Sequence, residues 1–232
     1  MQQRSLRRPF SCTADYRRSS CLLALLILLS ATGEAATLHY EAFLAGVRVG
    51  AATVTVDLNG QSYAIRGDAS ATGVAYLFSD WRSEFHAGGR IVNGHPQLLA
   101  YGYNEHERRK QRILVLEDGL IHMTKNGKPG APVPVLDGLD VLTAFFIQPD
   151  CWESQLLHTG RSNYRVEGRP AGRAGGCLFE VADDDGDRQR MVVEFGHRSG
   201  LVVPVKMTTR GLLRGSIVLR SAQPSAEIGA AP

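Results

Sequence analysis

The chain has 232 residues, 26 basic and 23 acidic side chains, 44% hydrophobic residues and four cysteines. Its formal charge of +3 belongs to the first 35 residues: they hold five arginines and two acids, and removing them leaves 21 charges of each sign. The neutral remainder, 232 less 35 or 197 residues, excludes a nucleic-acid partner held by bulk charge, yet is long enough for one domain with a full core.

Residues 1–35 read as a cleaved export signal. Arg4, Arg7, Arg8, Arg17 and Arg18 precede an unbroken apolar run from Cys21 to Leu29, followed by small residues. That run is shorter than the roughly 20 residues a membrane-spanning helix needs. Cleavage between Ala35 and Ala36 puts Gly33 and Ala35 in the two small-residue pockets of the peptidase. The residues around Arg17-Arg18 match a twin-arginine signal poorly, and Cys21 stands at the wrong end of the run for a lipoprotein. The expectation is a periplasmic protein whose mature chain has no transmembrane segment.

Residues 36–221 read as a single antiparallel β domain. In Gly50–Leu58, Val54, Val56 and Leu58 share one face; Asn59-Gly60 turns the chain, and Tyr63, Ile65 and Ala69 return on one face. The same alternation marks strands at Trp81–Val92, Gln97–Tyr103, Gln111–Leu116 and Leu120–Lys125, with turns at Asn93-Gly94, Asp118-Gly119 and Asn126-Gly127. Further strands are expected at Cys177–Ala182, Arg190–Phe195, Leu201–Thr209 and Leu213–Arg220; Pro204 marks an edge or a bulge. Two short segments have helical spacing, Val74–Asp80 and Asp140–Ile147, the second capped by Asp140 or Asp137 and stopped by Pro149. Both are apolar enough to plug or cover a sheet. Lys128–Leu136 is an extended, proline-rich connection that divides the sheet in two, and 222–232 reads as a disordered tail. The fold class expected is all-β, a barrel or half-barrel-like sheet with two short helices.

Cys12 and Cys21 leave with the signal, so Cys151 and Cys177 remain as an isolated pair, which an oxidising compartment joins in a disulfide. The segment between them is rich in glycine and arginine and reads as otherwise loose. There is no Cys-x-x-Cys, nucleophile elbow, phosphate loop or His-Glu-x-x-His, and none of the seven histidines stands at a metal-ligand spacing. Asp183, Asp185, Asp187 and Glu194 imitate a calcium loop, but Arg188 occupies the position that needs glycine. No catalytic residue, metal or cofactor is therefore assigned. Tyr76, Phe78, Trp81, Phe85, Tyr101, Tyr103, Phe145, Phe146 and Trp152 either fill the core or line a cavity for an apolar ligand. Arg108-Arg109-Lys110 with Arg112 forms a local basic cluster, read as a solvated hairpin tip or as a docking patch for anionic lipid or polysaccharide.

Several phrases in order carry a resemblance: Leu38-His39-Tyr40 leading to Gly46-Val47-Arg48-Val49-Gly50, then Tyr63-Ala64-Ile65, Thr72-Gly73, Pro96-Gln97-Leu98, Asp140-Val141-Leu142-Thr143-Ala144-Phe145, and Val203-Pro204-Val205-Lys206 before Gly211. From Leu38 to Ser221 the chain resembles the bacterial exported DUF3108 family, a domain of unknown function. The resemblance implies a barrel-like envelope protein without an established activity, and it transfers no catalytic residue. The leading functional reading is a non-enzymatic envelope protein that binds a lipid-like molecule or another envelope protein. The alternatives are a hydrolase built from dispersed His, Asp and Ser residues, and a structural subunit of an envelope assembly, which predicts a long bare edge strand or a large exposed apolar patch.

Overall fold

The computed structural model describes residues 33–172, 176–210 and 214–225. Strands β1 (Glu34–Leu44), β2 (Val47–Leu58), β3 (Ser62–Ala71), β4 (Arg82–Val92), β5 (His95–Glu107), β6 (Lys110–Glu117) and β7 (Leu120–Lys125) form the first meander. Two-residue strands β8 (Lys128–Pro129) and β9 (Val133–Pro134) both pair with β7, and β10 (Leu139–Asp140) leads into α1 (Val141–Phe146), the single α-helix among the described residues. The second meander is β11 (Gln155–His158), β12 (Asn163–Pro170), β13 (Gly176–Asp183), β14 (Arg188–Arg198), β15 (Leu201–Arg210) and β16 (Gly215–Pro224).

All sixteen strands among the described residues belong to one sheet, ordered β10-β11-β12-β13-β14-β15-β16-β1-β2-β3-β4-β5-β6-β7-β8, with β9 beside β7. The pairing is antiparallel except for β10 with β11. The sheet curls on itself but does not close, and its two edges are blunted by two-residue strands, which leaves little bare backbone to recruit another chain. The all-β, barrel-like class expected from the sequence is what forms. The long bare edge that a structural subunit would offer is not present among the described residues.

Hairpin chemistry explains the first meander. Asn93-Gly94, Asp118-Gly119 and Asn126-Gly127 all have positive φ at both residues, the two-residue turn whose twist matches that of the strands it joins. Asn59-Gly60 turns differently: only Gly60 has positive φ, and the Asn59 side chain instead accepts a hydrogen bond from the Ser62 amide at 2.8 Å. Pro204 sits in an inner strand, where the ladder to β14 shifts register between Glu194 and Phe195. The ladder from β15 to β16 covers only Lys206–Thr208, so the proline falls beyond it. Of the two readings of Pro204, the bulge is correct.

The core follows the period-two pattern inward. Leu38, Tyr40, Val54, Val56, Tyr63, Ile65, Ala87, Tyr101, Leu114 and Ile121 form one buried cluster. Trp152, Leu157, Val166, Cys177, Phe179 and Val193 form a second, on the other meander. Helix α1 keys the two together: Phe146 packs edge-on against Tyr40 in the first, while Ala144 enters the second and Phe145 stacks edge-on against Trp152 and Phe179. The disulfide Cys151–Cys177 forms and ties the chain just after α1 to β13.

Four expectations need correcting. Val74–Asp80 is not an α-helix covering the sheet; a 3-10 turn, Gly73–Leu77, with no buried residue, projects from the β3–β4 connection. The segment between the cysteines is not loose, since β12 crosses most of it and pairs with both β11 and β13. Residues 222–224 of the expected tail continue β16 and pair with β1, while 226–232 lie outside the described residues. The strands number sixteen among the described residues rather than about ten. The expected leader lies outside the described residues except for Gly33, Glu34 and Ala35. The expected cleavage bond, Ala35–Ala36, falls inside β1, where Glu34 and Ala35 pair with Leu58 and Asp57.

Candidate functional site

The alternation that buries one face of β4 and β5 also lines a cleft. Ser83 and Phe85 of β4 face the same way as Tyr101, Tyr103 and Glu105 of β5, with Phe85 directly opposite Tyr103 in the ladder. The facing wall comes from the other half of the molecule: Val141 and Leu142 in the first turn of α1, Thr159, Arg161 and Ser162 in the β11–β12 turn, and Tyr164 of β12. The cleft holds about 520 Å³, within the range of roughly 300–1,000 Å³ common for small-molecule sites. Its walls are aromatic and aliphatic, and its lip is polar.

A buried polar knot holds the facing wall. Asp140 caps α1, its Oδ1 accepting hydrogen bonds from the Leu142 and Thr143 amides at 3.0 and 2.9 Å. The parallel β10–β11 pair sets Asp140 opposite His158. His158 Nδ1 accepts from the Gly160 amide at 3.2 Å, so the neutral ring carries its proton on Nε2. The Thr143 hydroxyl donates to the Tyr63 hydroxyl at 3.1 Å, which links the helix to β3. Gly160 has φ +72°, and a Cβ there would come within 2.9 Å of the Tyr101 ring. Only glycine lets the β11–β12 turn lie this close to β5.

Burial sets the protonation of the knot. It pushes the Asp140 carboxyl above its ordinary range, against the opposing pull of the hydrogen bonds from Thr143, the charge of His158 and the Leu142 amide. It pushes His158 below its ordinary value, with the Asp140 carboxylate pulling the other way. The Tyr63 hydroxyl is raised to about 12 and that of Tyr101 is raised as well, burial again being the main cause. Asp140, Thr143 and His158 are each 1% exposed, so no substrate reaches them. They act as scaffolding for the cleft's second wall. The cleft itself is lined by the hydroxyls of Ser83, Thr159 and Ser162, with Glu105 as its one carboxylate.

The lip offers one free charge among the described residues. Glu105 is committed, accepting from the Trp81 indole at 2.9 Å and from Arg112 at 3.1 Å. Arg161 is exposed and makes no ion pair with a described residue.

The aromatics singled out by sequence divide into four groups. Phe85, Tyr101 and Tyr103 line the cleft. Phe146 is in the first core cluster, and Phe145 and Trp152 pack in the second. Trp81 is half-buried at the cleft's rim, where its indole bonds Glu105. Tyr76 and Phe78 point out of the fold, 65% and 74% exposed. Sequence reasoning missed Arg161, Tyr164 and the Asp140–His158 pair. Asp140 and His158 are distant in sequence, and only the parallel pairing joins them. Among the described residues no three His, Cys, Asp or Glu side chains are placed to hold a metal ion. The acidic hairpin tip turns on itself, Asp183 accepting from the Asp185 and Asp187 amides. A larger hollow, about 680 Å³, lies on the outer face of β2–β6, where Arg66, Asp68, Glu84 and His86 share the lining with Phe85, Tyr103, Ile113 and Val115.

Fold and cleft together define an unclosed, barrel-like antiparallel β-protein with a helix plugging its interior. No family model matches the chain, and no curated protein matches it. Among solved structures it is similar to a beta-barrel-like protein of domain of unknown function DUF1849 from Brucella abortus, with 9% identity over 83% of this chain and 98% of that one and a TM-score of 0.47.

Proposed function

We propose that this chain is a periplasmic, non-enzymatic binding protein of the cell envelope, a member of the DUF3108 group, whose cleft holds a lipid-like ligand. One observation carries the reading: Arg161, in no ion pair with a described residue, stands at the lip of a cleft walled by Phe85, Tyr101, Tyr103, Leu142 and Tyr164. An apolar chain lies against the aromatics, where each buried methylene contributes about 0.8 kcal/mol. A carboxylate or phosphate head meets the planar guanidinium, which suits both groups. The leader and the disulfide pair support the compartment, and the order of the phrases from Leu38 to Gly211 supports the family.

The test is native mass spectrometry of protein recovered from the periplasm, followed by titration with a fatty acid and with a lysophospholipid. Wild-type protein is expected to carry or take up one molecule. Arg161→Glu should weaken uptake about tenfold or more at unchanged stability, as expected when an attractive charge is reversed. A ligand-free wild-type protein that takes up neither probe overturns the reading.

A further inference from the structure

The 3-10 turn Gly73–Leu77 and the residue after it leave four large apolar side chains in water: Val74, Tyr76, Leu77 and Phe78 are 50%, 65%, 79% and 74% exposed. Isolated exposed apolar residues are ordinary, but a contiguous run on a projecting tip needs something to cover it. The tip is well held. Its ends are fixed by backbone hydrogen bonds from Ala71 to Trp81 and from Thr72 to Val49. Its far side is clamped by the β5–β6 turn: the Arg108 amide donates to Asp80, the Arg108 guanidinium to the Phe78 carbonyl, and the Ser79 hydroxyl to Glu107.

That clamp brings cations to the apolar tip. Arg108, Arg109 and Lys110 are the β5–β6 turn and its first strand residue, and Arg82 opens β4 just after the tip. All four are exposed, and none is in an ion pair with a described residue. The nearby acids Asp80 and Glu107 already accept hydrogen bonds within the clamp. Strand direction places the β1–β2 turn at the same end of the sheet, with Leu44 and Val47 also exposed. The result is an apolar knob whose surround carries a positive surplus, four cations (Arg82, Arg108, Arg109, Lys110) against two acids (Asp80, Glu107). Aromatics and arginine also suit protein interfaces, but an apolar tip with exposed cations set around it is the arrangement of a segment seated among anionic headgroups.

We propose that this end of the molecule docks on an anionic phospholipid surface, with Tyr76, Leu77 and Phe78 entering the headgroup–acyl boundary and Arg82, Arg108, Arg109 and Lys110 meeting lipid phosphates. The proposal does not rest on the ligand cleft and stands or falls separately from it.

Vesicle co-sedimentation tests it, using the chain purified in the form the cell produces, so that the N-terminus is the same in every variant. Wild-type protein is expected to bind vesicles containing phosphatidylglycerol, and to bind them less as salt rises. The triple variant Y76S/L77S/F78S should lose about tenfold or more in affinity while keeping its unfolding temperature, since the turn buries nothing. R82Q/R109Q/K110Q, which leaves the Arg108 clamp on Phe78 intact, should lose binding to the anionic vesicles by a similar factor. Phe78→Trp, kept as a separate variant, should show a blue-shifted indole emission on those vesicles. The proposal is overturned if wild-type protein ignores anionic vesicles, or if the triple serine variant binds them as well as wild type. It is equally overturned if the emission of the Phe78→Trp variant does not move, or if the knob instead holds a dimer that the serine variant dissolves.

Discussion

Asp140 and His158 stand opposite each other on the only parallel strand pair among the described residues, both 1% exposed, and the aspartate spends one oxygen on the helix cap while its Oδ2 has no hydrogen-bond partner among those residues. The pair joins the end of one connection to the first strand of the second meander. It therefore sets where α1 enters the interior and where the cleft's second wall stands.

The cap and the charge of Asp140 can be separated. Asp140→Ala removes the acceptor for the Leu142 and Thr143 amides, and should lower unfolding free energy by about 1–2 kcal/mol in urea titration. Asp140→Asn keeps an oxygen at the cap and removes an ionisation that burial disfavours. Because the folded carboxyl titrates above its ordinary value of 3.8, the ionised form costs stability at neutral pH. Asp140→Asn should therefore match or exceed wild type there. A loss as large as that of the alanine variant would show that the charge itself is needed.

His158 should make the protein acid-sensitive. Its folded pKa lies below the ordinary 6.5, so between those two values the unfolded chain binds more protons. The stabilisation is complete above 6.5 and is lost as pH falls through the folded value. His86, lowered by burial and then by Arg66, acts with the same sign. Melting temperature should fall as pH drops below about 6.5, and His158→Gln should flatten part of that slope. A slope unchanged in the variant assigns the effect elsewhere.

The disulfide closes a loop with a sequence separation of 26 residues. Loop entropy predicts that the double variant Cys151→Ser/Cys177→Ser loses about 3–4 kcal/mol. Denaturant unfolding measures the loss directly. Cys177 is 5% exposed, so reductant should cleave the bond slowly in the folded protein and quickly once unfolding begins.

Gly160→Ala forces a side chain into a backbone with φ +72° and against the Tyr101 ring. The left-handed backbone alone costs roughly 1–2 kcal/mol. Near-ultraviolet circular dichroism should also change, because the turn that backs Tyr101 must move. A variant as stable as wild type would mean that the turn tolerates displacement.

Much of the first meander was legible because each strand alternates cleanly and ends on Asn-Gly or Asp-Gly. β12 was missed although Tyr164, Val166 and Gly168 alternate with Arg165, Glu167 and Arg169. Glycine there suggests looseness, but Gly168 lies flat against Phe179 and donates to the Trp152 carbonyl. The two apolar segments looked alike in sequence, yet α1 is inside and Val74–Phe78 outside. Topology separates them: β3 and β4 are neighbours, so their connection is a hairpin tip with nowhere to go but outward. Helix α1 links the two meanders and packs against the buried clusters of both. The cleft was only half visible, since Phe85, Tyr101 and Tyr103 share a local pattern while Arg161 and Tyr164 arrive from a distant turn.

β1 and β16, the first and last described strands, are neighbours in the middle of the sheet, so the sheet's interior ladder is its latest one. A chain that emerges N-terminus first must hold β1 with one edge bare until Gly215 and its successors are out. During that interval a half-built sheet presents Leu38, Tyr40 and the backbone of β1 to any passing strand. For a chain that folds as it emerges, the delay before β16 arrives therefore exposes more edge than the short finished edges suggest. A permutant with its ends joined and reopened between Gly130 and Pro132 would make the β16–β1 pairing as local as any hairpin.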